Sequence, residues 1–445
     1  MTRLFGTDGI RGRANTPPMT CETALKTGRA AALLALELGQ NQVVIGKDTR
    51  ISGDMLEAAL AAGASSAGVD VGLAGVIPTP GVAFLTACLK GVGAGIVISA
   101  SHNPFYDNGI KIFQKGGTKL TDEQEDAVEA HIRDTHIVPR DNVGKIVIIP
   151  DSSDMYAQFL LDRFPFRKLS APIKLVVDAS NGAACDICHK VFHNQLFDVV
   201  FIHDRPDGFN INKDCGSQHT RDLKEQVLAR KADLGIAFDG DADRMIAVDE
   251  KGAEITGDRI LAICAVHAKA KKRLKNNVVV STIMSNIGLT KALDALGIDH
   301  VITGVGDRKV LEEMQRCGAV MGGEDSGHML FLEDHTTGDG MLSALRLMAV
   351  MAETGRSLSD LAGVMQVYPQ VLKNVTVNAS RPDFTQIGPI ADAIAQVEAQ
   401  LAEKGRVLVR YSGTQPLLRV MVEGPDKSVT AACCEKICRA IRENI

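Results

Sequence analysis

Three aspartates spaced by two form the residue pattern with the clearest chemical meaning in this sequence. Asp239, Asp241 and Asp243 follow an apolar run at 234–238 in the segment IAFDGDADR. In an extended chain, residues i, i+2 and i+4 point the same way, so we expect the three carboxylates to converge at the end of a buried strand. Oxygen ligands without Cys or His favour Mg²⁺. An exposed acidic turn is the alternative, but like charges packed together repel strongly without a cation.

A second candidate site lies in GIVISASHNPFYDNGIK, residues 95–111, where an apolar strand-like run breaks into small polar residues. If Ser101 carried a phosphate, that group would add a charge of about −1.5 to −2 and three acceptor oxygens, one of which could complete a Mg²⁺ shell. Loops at the carboxyl ends of strands are where α/β proteins place such groups. An ordinary turn rich in Ser, Asn and Pro explains the same residues equally well.

Two further loops combine glycine with polar side chains. In RYSGTQPLLRV a guanidinium, hydroxyls and backbone amides could hold a phosphate, and the candidate residues are Arg410, Ser412, Gly413 and Thr414. A plain hairpin turn fits that loop as well. In GGEDSGHM, residues 322–329, carboxylates and hydroxyls suit the hydroxyl groups of a sugar, and spacing alone does not separate this interpretation from a solvated turn.

Composition limits the function classes. The 445 residues are 45% hydrophobic and 23% charged, with a net charge of −5 and no basic block, which argues against nucleic acid or an acidic membrane as a partner. There is no apolar tract of about 18 residues and no apolar signal core near the start, so we expect a cytoplasmic protein. The ten cysteines are scattered, and we interpret them as reduced thiols.

The order of apolar runs predicts the fold class. Short runs rich in β-branched residues alternate with helix-period segments, which indicates α/β layers. Three such units begin alike, with VVIGKDTRISG, LVVDASNGAAC and VVVSTIMSNIG. Residues 366–445 mix strands and helices without a parallel-strand pattern. We therefore predict three related α/β domains with mixed sheets, followed by a C-terminal α+β domain.

Taken together, these loops resemble the α-D-phosphohexomutase superfamily. The similarity runs through the whole chain, in the order LFGTDGIRG, SASHNPFYDNGIKIF, PDGFNINKDCGS, DGDADR, TGVGDRKV, GEDSGH, TTGDG and RYSGTQPLLRVMVEG. It implies four domains around a central cleft, each with one functional loop. The expected domains are 1–152 with the phosphoserine loop, 153–252 with the metal-binding loop, 253–365 with the sugar-binding loop and 366–445 with the phosphate-binding loop.

The resemblance also implies a role for each candidate residue. Ser101 would carry the phosphoryl group and, with the three aspartates, would bind one Mg²⁺ per chain. Glu324 and Ser326 would bind sugar hydroxyls, while the loop with Arg410, Ser412, Gly413 and Thr414 would hold the phosphate that does not react. Proton transfer or charge stabilisation is implied for Arg11, Lys111 and His328, and Arg244, beside the metal loop, would face the phosphoserine.

The motifs FGTDGIRG and SASHNPFYDNGIK are similar to the glucosamine branch of the superfamily. This implies an isomerase-class phosphotransferase that interconverts glucosamine 6-phosphate and glucosamine 1-phosphate in the pathway to UDP-N-acetylglucosamine. A 1,6-bisphosphate would be both intermediate and activator, and the chain would be a monomer or a homodimer. The alternative is a phosphomannomutase or phosphoglucomutase of the same superfamily.

Three positions depart from the pattern of that branch. Asp325 replaces a Gln, Gln415 replaces a Glu, and Lys309 stands where Tyr is more common. Asp325 could pair with the C2 ammonium of an aminosugar or point to solvent. Two other classes compete with a mutase: a phosphatase with Asp239 as nucleophile, and a non-enzymatic protein that binds sugar phosphates.

Overall fold

The computed structural model describes residues 3–6, 8–134, 141–166, 169, 171–377, 381–412 and 416–445. The chain divides into two compact units, Met1–Ile283 with Asp299–Gly363 and Met284–Ile298 with Val364–Ile445. All ten cysteines are free thiols. No helix in the described part of the chain is long and apolar enough to cross a membrane.

A seven-stranded mixed sheet opens the first unit. Its strands are β1 (Ile10–Arg13), β2 (Gln42–Lys47), β3 (Asp70–Val76), β4 (Val92–Ile98), β5 (Asp107–Gln114), β6 (Thr118–Lys119) and β7 (Ile146–Ile148), in the order β1-β5-β4-β2-β3-β7 with β6 beside β5. The helices are α1 (Cys21–Glu37), α2 (Gly53–Ser66), α3 (Thr79–Cys88) and α4 (Asp122–Arg133). Strand β4 pairs in parallel with β2 and antiparallel with β5. The carboxyl ends of β2 and β4 therefore lie side by side, next to the middle of β5.

Close packing of two helices stabilises this first layer. Helices α1 and α2 are rich in alanine and approach so closely that a Cβ at Gly28 would lie 2.0 Å from the Leu60 carbonyl oxygen. A Cβ at Gly63 would lie 1.9 Å from the carbonyl oxygen of Leu25. Glycine at both positions is therefore required by the approach of the two backbones.

The second sheet carries the aspartate loop. After α5 (Ser152–Leu161) come β8 (Ile173–Asp178), α6 (Ala184–Phe192), β9 (Phe197–Ile202), α7 (Arg221–Arg230), β10 (Leu234–Phe238), β11 (Met245–Asp249) and β12 (Glu254–Ile255). The order is β12-β11-β10-β8-β9, with β10 parallel to β8 and antiparallel to β11. All five residues of β10 are buried, and Asp239, the first of the three aspartates, comes directly after this buried strand.

The third sheet has four strands in the order β14-β13-β15-β16. The elements are α8 (Gly257–Ala270), β13 (Val278–Thr282), α9 (Ile287–Ala295), β14 (Asp299–Thr303), α10 (Asp307–Cys317), β15 (Met321–Gly323), β16 (Met329–Phe331), α11 (Gly340–Thr354) and α12 (Leu358–Ala362). Helix α9 belongs to the second compact unit. Strand β15 is parallel to β13 and antiparallel to β16, and the short connection from β15 to β16 contains the GEDSGH motif.

The second unit also contains a three-stranded antiparallel sheet, in the order β17-β19-β18. Its elements are β17 (Gln370–Thr376), α13 (Gly388–Leu401), β18 (Arg406–Tyr411), β19 (Leu417–Glu423) and α14 (Lys427–Asn444). Both helices contribute buried apolar residues to one core with the sheet. Three mixed α/β sheets followed by an α+β module confirm the predicted fold class.

Candidate active site

The aspartate loop brings three buried carboxylates together between β10 and β11. One oxygen from each of Asp239, Asp241 and Asp243 lies within 4.8 Å of the other two. All three side chains are buried. Asp241 Oδ1 and Asp243 Oδ1 have no hydrogen-bond partner among the described residues. Buried, convergent and unpartnered carboxylate oxygens are the donor set that a hard divalent cation such as Mg²⁺ requires, so these residues fit the metal predicted from the sequence.

The electrostatics of the loop point to the same requirement. Burial, together with Asp243 and Asp241, raises the pKa of Asp239 well above its ordinary value. Burial alone would also raise the pKa of Asp243, but Lys111 and His328 offset it and hold that pKa well below the ordinary value. Three carboxylates in this space are ionised together only when further positive charge lies among them.

Ser101 faces the aspartate loop from the end of β4. Its backbone is left-handed, with φ 53°, and the residue is fully buried. Its Oγ donates a hydrogen bond to Asp239 Oδ2 at 2.5 Å. Ser99 has a different role, because its Oγ donates to Asp48 Oδ2 at 2.6 Å and accepts from the Ser101 amide at 2.9 Å. The hydroxyl that meets the aspartates is therefore that of Ser101, and Ser99 supports the turn.

His102 lies beside that hydroxyl but is a poor base. Its Nδ1 is 3.4 Å from Ser101 Oγ and 3.3 Å from Nη1 of Arg244. Burial, with the nearby cations Arg244 and Arg11, lowers the pKa of His102 to about 4. The imidazole is therefore neutral at physiological pH and has little tendency to take a proton from Ser101.

A buried arginine that the motif analysis did not select holds the serine loop. The Arg50 guanidinium has no exposed surface and pairs with Asp48, Nε to Oδ2, at 2.8 Å. It also donates to four backbone carbonyl oxygens of the loop, which belong to Ser101, Asn103, Pro104 and Asp107. The signal was present in GKDTR, where two charged residues follow directly after a buried strand, β2, that neighbours β4.

A cavity of about 270 Å³ opens next to these residues. Its lining includes Arg11, His102, Asp243, Arg244, Glu324 and His328. Lys111 lies behind it, with Nζ 2.9 Å from Asp241 Oδ2 and 3.3 Å from Asp243 Oδ2. Burial alone would lower the pKa of Lys111, but Asp241, Asp8 and Asp243 raise it well above its ordinary value. Lys111 is therefore a fixed positive charge behind the aspartates.

The loop between β15 and β16 faces the same cavity. Glu324 Oε1 accepts a hydrogen bond from the Gly306 amide at 3.2 Å. Ser326 Oγ is buried and has no hydrogen-bond partner within the described ranges. His328 Nδ1 lies 3.7 Å from Asp243 Oδ2. The backbone carbonyl of Asp325 accepts from the Gly257 amide.

The second unit contains the remaining predicted loop. Arg410 lies near the end of β18, opposite Arg419 on β19. Burial and the charge of Arg419 lower the pKa of Arg410. Arg419 Nε is buried and, in the part of the chain that the structure describes, has no hydrogen-bond partner. The Ser412 amide donates to the Leu417 carbonyl at 2.8 Å.

Two guanidiniums side by side favour an anion between them, and Arg419 is a candidate that the motif analysis missed. The predicted residues Gly413 and Thr414, and the departure Gln415, lie outside the described residues.

Comparison with known protein families covers almost the whole chain. Four sequence models described as phosphoglucomutase/phosphomannomutase match it: alpha/beta/alpha domain I at residues 2–137, domain II at 154–252, domain III at 256–368 and the C-terminal domain at 372–440. The chain belongs to the phosphoglucomutase/phosphomannomutase family. This family membership confirms that the chain is a member of the phosphohexomutase superfamily with four domains.

Curated relatives within the family have a more specific name. A phosphoglucosamine mutase of Desulforapulum autotrophicum is 60% identical over 100% of this chain and 99% of the relative. Phosphoglucosamine mutases of Syntrophobacter fumaroxidans and Syntrophus aciditrophicus are 49% and 50% identical, each over 100% of both chains.

Solved structures share the family fold at lower identity. A phosphoglucomutase/phosphomannomutase family protein of Burkholderia thailandensis superposes with a TM-score of 0.82 at 24% identity, covering 99% of this chain and 97% of that one. The N-acetylphosphoglucosamine mutase of Aspergillus fumigatus, solved in complex with GlcNAc-6P and magnesium, gives a TM-score of 0.70 at 17% identity, covering 99% and 96%. At these sequence identities, the similarity to the solved structures supports the fold alone.

The hydrogen bonds of Arg50 predict how the serine loop of this family member responds to substitution. Arg50→Met leaves Asp48 buried without its cation and removes one donor from each of the four carbonyls, so we expect a loss of about 3–5 kcal/mol in the free energy of unfolding. The carbonyls of Ser101 and Asn103 keep a second donor, Nδ2 of Asn212. Arg50→Lys keeps the charge but not the planar fork, and its loss should be smaller. Urea unfolding measures both, and hydrogen exchange of the amides at 101–107 should accelerate in both variants.

The control for this prediction is Arg230→Lys, because Arg230 is exposed at the end of α7 and contacts Gln226. It should leave both measurements unchanged. Wild-type stability and wild-type exchange at 101–107 in Arg50→Met would show that Arg50 does not hold the loop.

Proposed function

We propose that this chain interconverts glucosamine 6-phosphate and glucosamine 1-phosphate through a phosphorylated Ser101, an isomerase-class reaction on the pathway to UDP-N-acetylglucosamine. The observation that carries the proposal is the contact of the Ser101 hydroxyl with Asp239 in a buried cluster of carboxylates. The 60% identity to a full-length phosphoglucosamine mutase supports glucosamine as the sugar.

The proposed reaction has two phosphoryl transfers. First, the C1 hydroxyl oxygen of glucosamine 6-phosphate attacks phosphorus of phospho-Ser101. The bond from phosphorus to Oγ breaks, the hydroxyl proton leaves, and glucosamine 1,6-bisphosphate forms while Ser101 regains a proton. After the bisphosphate turns around, Ser101 Oγ loses its proton and attacks phosphorus of the 6-phosphate. The bond from phosphorus to the C6 oxygen breaks, that oxygen takes a proton, and glucosamine 1-phosphate leaves with phosphoserine restored. Free glucosamine 1,6-bisphosphate would act as an activator, because it can phosphorylate Ser101.

In this proposal Asp239, Asp241 and Asp243 would hold Mg²⁺, and the Ser101 phosphate would contribute a further oxygen. The ion, when bound, neutralises charge on the transferring oxygens. Lys111 and Arg244 add positive charge next to the aspartates. Arg11 and His328 line the cavity and are the groups that would stabilise charge or assist proton transfer there.

Two loops would bind the sugar phosphate. In this proposal Ser326 and Glu324 would bind sugar hydroxyls: the Glu324 carboxylate can accept a hydrogen bond, and Ser326 Oγ, which lacks a partner within the described ranges, can donate or accept one. In the second unit, a phosphate-binding role is proposed for Arg410, Arg419, Ser412, Gly413 and Thr414. Each of the four expected domains, with boundaries near residues 152, 252 and 365, would contribute one functional loop.

A substrate panel with Ser101 variants tests the proposed function. With Mg²⁺ and a trace of sugar 1,6-bisphosphate, we expect wild type to convert glucosamine 6-phosphate much faster than glucose 1-phosphate or mannose 1-phosphate. Ser101→Ala should lose at least about 10³-fold in turnover, because the phosphoryl carrier is missing. Intact-mass measurement should find one phosphoryl group on wild type and none on the variant.

Ser101→Asp is the matched control for charge. It keeps a negative charge without a transferable phosphoryl group, so it should be as inactive as Ser101→Ala. If mannose 1-phosphate or glucose 1-phosphate is turned over faster than glucosamine 6-phosphate, the assignment of glucosamine as the sugar is wrong. Retained activity in Ser101→Ala with release of inorganic phosphate would favour a phosphatase that uses Asp239.

The aspartate cluster predicts a second effect, on metal binding. Asp241→Asn removes one of three carboxylate charges, so we expect Mg²⁺ affinity measured by titration calorimetry to fall at least about tenfold, and turnover to fall with it. Asp233→Asn is the control, because Asp233 precedes the opposite end of β10 and is exposed. Equal Mg²⁺ affinity in Asp241→Asn and wild type would contradict the metal assignment.

A further inference from the structure

A closed ring of six alternating charges lies beside the cavity, and the cavity lining includes four of them, Asp8, Asp243, Asp307 and His328. Around the ring, Nζ of Lys111 lies 3.3 Å from Asp243 and 3.1 Å from Asp8, and Nζ of Lys119 lies 2.6 Å from Asp8 and also contacts Asp307. His328 closes it, with Nε2 3.5 Å from Asp307 and Nδ1 3.7 Å from Asp243. Carboxylates and basic groups therefore alternate at every step.

The ring joins segments that are far apart in the sequence. Asp8 lies in the loop before β1, Lys119 ends β6, and Asp307 begins α10. The Lys119 side chain is 12% exposed, and those of Asp307 and Asp8 are 15% and 22% exposed. At this burial, ion pairs are screened less than on the surface. Removal of one charge therefore changes the electrostatic forces on the other members of the ring.

We propose that Lys119 is a positioning residue for phosphoryl transfer, an inference that rests on the proposed function. Lys119 is not among the residues that line the cavity in the described part of the chain. It acts through its two carboxylate partners: it holds Asp8, which contacts Lys111, and Asp307, which contacts His328. Lys111 and His328 in turn contact Asp243, a member of the aspartate cluster.

The physical argument is a competition for cations. Asp8 Oδ1 contacts Lys119, while Oδ2 contacts Arg11 at 2.5 Å and Lys111 at 3.1 Å. Without Lys119, Asp8 loses one of these three cations and attracts Lys111 more strongly, away from Asp241 and Asp243. Asp307 likewise attracts His328 away from Asp243. Displacement of a charge-stabilising group by about 1 Å is enough to slow a reaction about 100-fold. Since Lys119 does not line the cavity, substrate binding should change little.

A second ion-pair cluster provides a matched control. Arg308, the residue after Asp307 on α10, pairs with Asp122 and Glu125 on α4. This cluster joins α10 to α4, and Lys119 joins α10 to β6, which directly precedes α4. The Arg308 side chain is 19% exposed. In the described part of the chain, the Arg308 side chain pairs with no member of the ring; its backbone amide donates to Asp307 Oδ1 at 2.8 Å, a bond that a side-chain substitution keeps. If Lys119 merely stabilised this junction, loss of Arg308 would have the same effect.

The experiment compares wild type, Lys119→Met, Lys119→Arg and Arg308→Met in full-length protein. Turnover of glucosamine 6-phosphate is measured with saturating Mg²⁺, and each variant is checked by thermal unfolding. We expect kcat to fall about 10- to 100-fold in Lys119→Met with KM changed less than about threefold. Lys119→Arg should recover most of kcat, and Arg308→Met should retain wild-type kcat even where its melting temperature falls.

A second readout does not depend on activity. In metal-free protein labelled at histidine, the ring resonances of His328, assigned from His328→Gln, should shift in Lys119→Met and stay in place in Arg308→Met. Wild-type kcat and an unmoved His328 signal in Lys119→Met would overturn the proposal, as would equal losses in Arg308→Met or no recovery in Lys119→Arg.

Failure of the proposed function is distinguishable from failure of this inference. A wild-type protein that does not convert glucosamine 6-phosphate would refute the function, while the histidine spectra would still report whether Lys119 positions His328. Should Lys119→Met not fold, Lys119→Gln, which keeps a hydrogen-bond donor without charge, takes its place with the same expected loss of kcat.

Discussion

The organisation of this protein depends on one constraint: a cluster of negative charge held out of water must be balanced by cations at fixed positions. Asp239, Asp241 and Asp243 are buried together at the end of β10, and Ser101, the proposed site of a phosphate, faces them. Burial makes such a cluster unstable by itself, because desolvation and mutual repulsion both oppose ionisation. Lys111 offsets part of that charge, and a divalent cation, which these oxygens fit, would offset the rest.

The fold supplies the positions that this balance needs. Parallel pairing of β2 with β4 brings Arg50 under the serine loop, and the antiparallel strand β5 places Lys111 against the aspartates. The short connection between β15 and β16 adds His328. Each cation comes from a different segment, so the charge balance is complete only when the sheets of the first unit are assembled. Phosphoryl transfer depends mainly on such positioning and charge stabilisation.

Much of this arrangement was predictable from the sequence, for physical reasons that also explain the rest. Strand alternation predicted the convergence of Asp239, Asp241 and Asp243, because the period of two is a local property. The family motifs selected Arg11, Arg244, Glu324 and His328, which line one cavity. Arg50 and Lys119 were missed because their partners are 51 and 188 residues away, a distance that no local pattern reveals.

Single-turnover transfer of labelled phosphate tests the central claim, that Ser101 carries the phosphoryl group, most directly. The enzyme is labelled with ³²P on Ser101 and mixed with a stoichiometric amount of unlabelled glucosamine 6-phosphate and Mg²⁺. Because the enzyme gives its own phosphate to C1 and takes the substrate's from C6, the label should appear in glucosamine 1-phosphate, while Ser101 retains an unlabelled phosphate. Label that stays on the protein during turnover, or leaves as inorganic phosphate, would contradict the account.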